Sequence, residues 1–301
     1  MPKVIVTGGA GFIGSNLVDA LIERGDEVLV LDNLSTGKKE NINPKAKLCE
    51  ADIRDLKKIS PFFEGVEYVF HLAAYPRVQP SIEDPLGTHD INVNGTLNVL
   101  MAARVSKVKR VIYSASSSAY GDQEIFPTRE DFLPRPLSPY GLQKYIGEHY
   151  ARLFSLLYGV ETVSLRYFNV YGPRASSEGA YALVVAKFLK QKKEGMPLTI
   201  VPDGTQSRAY SHVYDVVRAN ILAMESDKVG KGEVINIGGD KDWSVNEIAK
   251  MVGGPSVFIE ARIEPKKSLP DTSKARELLG WQSKIGLEEG ILELKKMYGL
   301  E

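Results

Sequence analysis

Short β-branched runs recur along the chain, at Val4 to Thr7, Val28 to Asp32, Tyr68 to His71, Arg110 to Ser114 and Thr162 to Arg166. Each is nearly continuous in apolar character, as a strand covered on both faces requires. Helical spacing fills the gaps between them. In the first gap Phe12, Ile13, Leu17, Val18, Leu21 and Ile22 share a face, and Arg24-Gly25 supplies a stop. Strand and helix alternating in this way predict an α/β doubly wound parallel sheet. After about Phe168 the rhythm loosens. Gly172-Pro173 and Ala175 to Gly179 read as loop, Tyr181 to Lys193 as helix, and Pro197 to Val201 and Val234 to Ile237 as short strands. Ser244-Val245-Asn246-Glu247 is a capping box. The expected division is a main domain over residues 1–168, joined by about 209–240, and a smaller mixed α/β lobe from 169–208 and 241–301.

Composition narrows the classes. The 301 residues carry 38 Lys plus Arg against 38 Asp plus Glu, so no net charge draws the chain to nucleic acid or an anionic membrane. Cys49 is the single cysteine, which excludes an internal disulfide, and no Cys/His cluster offers a metal site. No apolar run reaches membrane-spanning length and the N-terminus lacks the layout of a signal peptide, so a soluble cytoplasmic protein is expected.

Thr7-Gly8-Gly9-Ala10-Gly11-Phe12-Ile13-Gly14 lies between the first strand and the first helix, the context that gives a glycine triplet its meaning. Gly8 permits a tight turn, Gly11 lets backbone approach a pyrophosphate, and Gly14 lets helix pack on strand, with the helix N-terminus facing the anion. The spacing is Gly-x-x-Gly-x-x-Gly, a departure from the dehydrogenase pattern. Asp32 ends the second strand 18 residues after Gly14, where a carboxylate binds the adenosine hydroxyls and repels a 2′-phosphate. That favours NAD over NADP, although Lys38 and Lys39 follow closely and a plain turn aspartate is the other reading of Asp32.

Tyr140 and Lys144 share one face of a helix opened by Ser138-Pro139. Any amphipathic helix could carry such a pair. What distinguishes this one is Tyr113-Ser114-Ala115-Ser116-Ser117-Ser118-Ala119-Tyr120-Gly121, where a strand ends in serines at the edge at which doubly wound folds bind ligands. A phenol acting as a base near neutrality needs its pKa lowered, and a nearby ammonium does that.

Together with His71-Leu72-Ala73-Ala74, Asn92-Val93-Asn94-Gly95-Thr96, Arg166-Tyr167-Phe168-Asn169-Val170-Tyr171-Gly172 and Pro202-Asp203-Gly204, these segments resemble the extended short-chain dehydrogenase/reductases over essentially the whole chain. Within that family the resemblance is to nucleotide-sugar 4-epimerases of the UDP-glucose 4-epimerase type, with a Rossmann-type sheet. It implies that Ser116, Tyr140 and Lys144 are catalytic. NAD would be held by the Gly8 to Gly14 turn with Phe12 and Ile13, by Asp32 and Asn33, by Asp52 and Ile53 at the adenine, and by Leu72, Ala73, Ala74 and Tyr75. Asn92, Ser114, Tyr140 and Lys144 would also contact it, with Phe168 near the nicotinamide. Asn169 and Arg208 would hold the substrate diphosphate, Thr199 and Val201 would meet the uracil through backbone groups, and Glu264 would reach the ribose. Ser81 and the Ser116 to Ser118 run would touch the sugar.

Dehydratases and decarboxylases of the family carry acidic residues where this chain has Ser117 and Ser118. Serine cannot supply an extra general acid/base, so the expectation is 4-epimerisation of UDP-glucose/UDP-galactose through a 4-keto sugar. Ser268, at a position that closes the sugar pocket, suggests room for UDP-GlcNAc/UDP-GalNAc; an exposed loop serine is the plainer reading. Two departures stand out. Ala209 follows Arg208 where the family has an aspartate, and Arg262 lies one residue from the usual place of a second diphosphate arginine. The alternatives are another nucleotide-sugar enzyme of the family, a reductase or 4,6-dehydratase, or an NAD-binding protein without chemistry. A homodimer is expected, paired through helices at about Gly87 to Arg104 and Tyr140 to Tyr158, because the second carries apolar residues on more than one face (Tyr145, Ile146, Tyr150, Leu153, Leu156 and Leu157).

Overall fold

The computed structural model describes residues 1–76, 78–177, 183–260 and 266–300. The first half alternates as expected: β1 (Lys3–Thr7), α1 (Phe12–Arg24), β2 (Glu27–Asp32), β3 (Lys47–Glu50), the short α2 (Leu56–Ile59) and β4 (Tyr68–His71). Next come α3 (Val78–Glu83) and α4 (Pro85–His89), a π-helical turn (Asp90–Asn94), α5 (Gly95–Val105), β5 (Arg110–Ser116), α6 (Pro139–Tyr158) and β6 (Glu161–Tyr167). The remainder is β7 (Val170–Tyr171), α7 (Val184–Lys193), β8 (Leu198–Ile200), β9 (Ser207–Ala209), β10 (Ser211–His212), α8 (Val213–Glu225), β11 (Lys231–Ile237), β12 (Asp242–Ser244), α9 (Val245–Val252), β13 (Ser256–Phe258), β14 (Lys267–Ser268), α10 (Ser273–Leu279) and α11 (Leu287–Tyr298).

Seven parallel strands make one sheet in the order β11-β6-β5-β4-β1-β2-β3. The strand at Val234 to Ile237 therefore does return to the main sheet, along β6. Side-chain alternation on β1 divides the core. Val4 and Val6 pack with α1 and α8, while Ile5 packs with α5 and Phe154 of α6, so both faces are covered and the strands read as unbroken apolar runs. The order reverses between β1 and β4, and that crevice is the ligand site of this architecture. A third apolar cluster is built around α7, α9 and α11.

Local chemistry sets the element ends. Gly25, at φ 91°, closes α1. Ser138 Oγ accepts the Gly141 N–H and Pro139 occupies the first turn of α6. The Ser244–Glu247 capping box forms as read from the sequence. The C-terminal segment is pinned by Asp215, whose backbone carbonyl accepts Trp281 Nε1 and whose carboxylate accepts the Lys284 and Ile285 N–H groups. Two sequence expectations need amendment. β3 goes unforeseen because only Leu48 and Cys49 mark it as apolar. The helix expected over Gly87 to Arg104 runs through the π turn, where the chain departs from α geometry at Asn92. Of the helix expected from Tyr181, the part from Val184 is confirmed, and Tyr181 lies outside the described residues.

Candidate active site

The glycine turn is shaped by close backbone approaches. Gly8 sits at φ 70° and a Cβ there would lie 2.8 Å from Ala73 N; a Cβ on Gly14 would lie 2.2 Å from Gly8 O. Gly11 is the N-cap of α1, has no side-chain cap, and leads a first turn without acidic residues. Among the described residues the only close neighbour of a Cβ on Gly11 is Gly8 O at 3.1 Å. This helix end, facing the β1/β4 crevice with uncapped N–H groups, has the donors and the room that a pyrophosphate needs. Asp32 Oδ2 accepts the Ala10 N–H at 3.0 Å and Oδ1 accepts the Leu34 N–H at 2.8 Å. Each oxygen keeps a second lone pair for a ribose hydroxyl.

Asn33 donates to Asp52, which also takes a two-pronged bond from Arg54; the Arg54 bond holds the Asp52 carboxyl down at about 2. Ile53 is buried against Gly95 and its carbonyl accepts Asn98 Nδ2, so its side chain is core.

A directed chain of hydrogen bonds joins this turn to the π segment. Thr96 Oγ1 donates to the Asn92 carbonyl, so it accepts from His71 Nε2 at 2.9 Å. His71 Nδ1 then accepts the Thr7 hydroxyl at 2.8 Å, and Thr7 Oγ1 accepts the Ala73 N–H. The chain fixes a neutral His71 protonated at Nε2. Burial and the charge of Lys144 push its pKa down to about 3. Asn92 brackets Tyr75, accepting its N–H and donating to its carbonyl, and also donates to Gln143 Oε1 at 2.7 Å. Its amide is thus engaged in holding the Ala73 to Tyr75 loop.

At the C-terminal end of β5, Ser116 Oγ accepts both the N–H and the hydroxyl of Ser118. Burial pushes the Tyr140 phenol up and a hydrogen bond with Ser116 pulls it back. Lys144 is 3% exposed and its Nζ donates to the Ser114 carbonyl at 2.7 Å. Burial lowers its pKa to about 7, against the opposing charge of Glu148. Ser116, Tyr140 and Lys144 are therefore brought together, with Ser114 and Ser118 beside them.

Several expected contacts read differently in the structure. Ser81 is fully buried: its hydroxyl donates to the Val78 carbonyl and accepts the Tyr140 N–H, so it braces α3 on α6 instead of facing a sugar. Phe168 is 1% exposed with its ring 6.1 Å from that of Tyr120, so it backs the site from within the core. The Thr199 N–H donates to Gln191 Oε1 and the Val201 carbonyl accepts Gln206 Nε2, which leaves those backbone groups with partners inside the chain. Asn169, at φ 38°, donates to the Ala209 carbonyl and so sits against the residue after Arg208. Arg208 is flanked in register by Trp243 on one side and Ser268 on the other, so these three share a face. Ala209 is fully buried opposite Asp242, which accepts from Ser207 and pairs with Lys267. Arg262 and Glu264 lie outside the described residues. Sequence reading missed Gln143, Trp243 and the buried Glu148–Arg166 pair. Of these Glu148 had a signal, a second charge one turn beyond Lys144 on the same face of α6.

Residues 4–238 match the NAD dependent epimerase/dehydratase family. The chain belongs to that family. Its structure superposes with a TM-score of 0.94 on UDP-glucose 4-epimerase with UDP-glucose from Thermotoga maritima, 42% identical over 99% of this chain and 98% of that one. Thermus thermophilus UDP-glucose 4-epimerase complexed with NAD gives 0.91 at 35% identity, with 99% of both chains covered. UDP-N-acetylglucosamine 4-epimerase from Methanobrevibacter ruminantium, in complex with UDP-N-acetylmuramic acid, gives 0.91 at 34% identity, covering 98% of this chain and 99% of that one. The expected family, the Rossmann-type fold, an NAD-dependent enzyme and NAD as cofactor all stand. Among the described residues no helix is long and apolar enough to cross a membrane, and no cluster of His, Cys, Asp and Glu could hold a metal.

Proposed function

We propose that the chain interconverts UDP-hexoses at C4, UDP-glucose with UDP-galactose, and that it also admits the N-acetylhexosamine pair. The observation that carries this reading is the hydroxyl set beside Tyr140: Ser116 and Ser118 are linked to each other, and serines occupy the places where elimination or decarboxylation would need a carboxylate. The uncapped α1 N-terminus, Asp32, Asp52 and the Ala73 to Tyr75 loop would hold NAD, which when bound supplies the acceptor and donor of a hydride. Tyr140 takes the proton of the C4 hydroxyl and later returns it. Lys144 lowers the phenol's pKa by its charge, and Ser116 orients the reacting oxygen. Proton transfer by a positioned side chain of this kind is worth roughly 10²–10⁴-fold in rate. Arg208 and Asn169 would anchor the diphosphate while the keto sugar turns, and the small Ser268 beside Arg208 leaves space for an acetamido group. In this reading residues 1–168 with about 209–240 bind the cofactor, and 169–208 with 241–301 bind the nucleotide sugar.

A homodimer belongs to the same reading. On α6, Leu142, Leu153, Leu156 and Leu157 are exposed, and Val105 is exposed at the end of α5. A second copy would cover this apolar strip. A cytoplasmic setting is compatible with the free, buried thiol of Cys49.

The test is to incubate purified protein with UDP-galactose and, separately, UDP-GalNAc, without and with added NAD, and to resolve products chromatographically. C4 epimers without net change in NADH support the reading. A product lighter by one water, stoichiometric NADH turnover, or no conversion with NAD present removes it.

A further inference from the structure

Glu148 is the third member of a stripe on α6 that starts at Tyr140 and passes through Lys144, each one helical turn from the last. Its carboxylate is gripped from β6 by Arg166, Nε to Oε1 at 2.8 Å and Nη2 to Oε2 at 2.6 Å. Both side chains are 3% exposed. The guanidinium lies 4.4 Å from the ring centroid of Tyr120, whose hydroxyl donates to Asn236. An ion pair taken this far out of water is a poor way to join a helix to a strand, because desolvation offsets most of the attraction and apolar side chains would serve as well.

The position of Lys144 gives the pair a use. That ammonium is almost fully buried, donates to the Ser114 carbonyl, and lies 5.0 Å from the Tyr113 ring centroid. The titratable and charged groups around it are Tyr140 and Glu148 on α6, Tyr113 on β5 and His71 on β4, with Arg166 beyond Glu148 on β6. Tyr140, Tyr113 and His71 are neutral here, so Glu148 is the one anion among them. We propose that Glu148, gripped by Arg166, is a positioning residue that keeps Lys144 an ammonium on the Ser114 carbonyl. Arg166 has its own part: by engaging both carboxylate oxygens it prevents Glu148 from swinging onto Lys144 and drawing it off that carbonyl. The inference deepens the reading of Tyr140 and Lys144 as the proton-transfer pair, and its first measurement does not depend on that reading.

That measurement is a titration of the apoprotein by NMR of the lysine ε-carbon, with the Lys144 signal assigned by Lys144→Met. Burial already brings this group to about 7. Glu148→Gln should lower the midpoint by a further one to two pH units, about what one charge a helical turn away exerts at an effective dielectric near 20. Glu148→Asp should fall between. If Glu148→Gln does not fold, the double variant Glu148→Gln/Arg166→Gln, which leaves no unpaired ion, should still lower the midpoint, because Glu148 is the nearer charge. An unchanged Lys144 midpoint in a folded variant overturns the proposal and leaves the pair a purely structural tie. The alkaline limb of kcat should move down with the NMR midpoint. A moved midpoint in a protein that converts no UDP-sugar would uphold the positioning role and discard the epimerase reading.

Discussion

Ser118 donates its hydroxyl to Ser116 Oγ at 2.8 Å and its backbone N–H to the same oxygen at 3.2 Å. Two donors arriving at one hydroxyl oxygen fill its lone pairs, so the Ser116 proton is left for Tyr140, with which Ser116 is hydrogen-bonded. The direction of that proton decides whether Ser116 stabilises a phenolate. Ser118→Ala should therefore lower kcat by about 3- to 10-fold, the worth of one neutral hydrogen bond, while KM for the UDP-sugar stays within a factor of two or so. Ser118→Thr, which keeps the hydroxyl, should retain most of the rate. Equal rates in wild type and Ser118→Ala would mean that Ser116 is oriented by something else.

His71 and His212 predict how the protein responds to acid. Burial depresses both, His71 to about 3 and His212 to about 4. Between these values and the ordinary histidine value near 6.5, the unfolded chain binds protons that the folded one refuses. Stability is then fully present above that ordinary value and is lost as pH falls. With both groups in play the slope approaches about 2.7 kcal/mol per pH unit below about pH 6. Urea unfolding midpoints measured between pH 7 and pH 5 should drop accordingly. His71→Gln should be less stable at pH 7 yet show about half of that acid slope.

In the proposed reading Asp32 holds the cofactor, and it serves the fold as well, because each of its oxygens accepts a backbone N–H. Asp32→Asn removes the charge and replaces one of the two acceptor oxygens by an NH2 donor, so one of the two backbone N–H bonds is lost as well. Calorimetric titration should show NAD affinity falling by roughly ten-fold, one charge-assisted hydrogen bond's worth, and the preference over NADP narrowing. A preference that survives Asp32→Asn would assign the discrimination to another part of the loop.

Much of this molecule was legible in its sequence, for identifiable reasons. Strands buried on both faces advertise themselves as apolar runs, and the Gly8 to Gly14 turn needs residues without a Cβ, so β1, α1 and the crevice beside them could be read directly. Tyr140, Lys144 and Ser116 could be placed together because helical spacing and a strand end fix them locally. What stayed hidden depends on partners distant in sequence. The burial of Ser81 follows from docking of α3 on α6. The occupation of the Thr199 amide follows from Gln191 reaching across from α7. The bond of Asn92 to Gln143 needs the π turn, which no hydrophobic period announces.

Ala209 offers a test of how this chain differs from the pattern its family suggests. An aspartate at that position could be expected to support Arg208. Here the side chain is fully buried and faces Asp242 across the antiparallel register, while Asp242 is already engaged by Ser207 and Lys267. A second carboxylate would be buried close to the first, whose partners Ser207 and Lys267 are already engaged. Ala209→Asp should thus destabilise by about 3 kcal/mol or more, read as a lower urea midpoint, and should weaken UDP binding. Adding Asp242→Asn should recover part of the loss by removing the opposed charge. If Ala209→Asp instead kept its stability and tightened UDP binding, Asp242 would not be what excludes a carboxylate from this position.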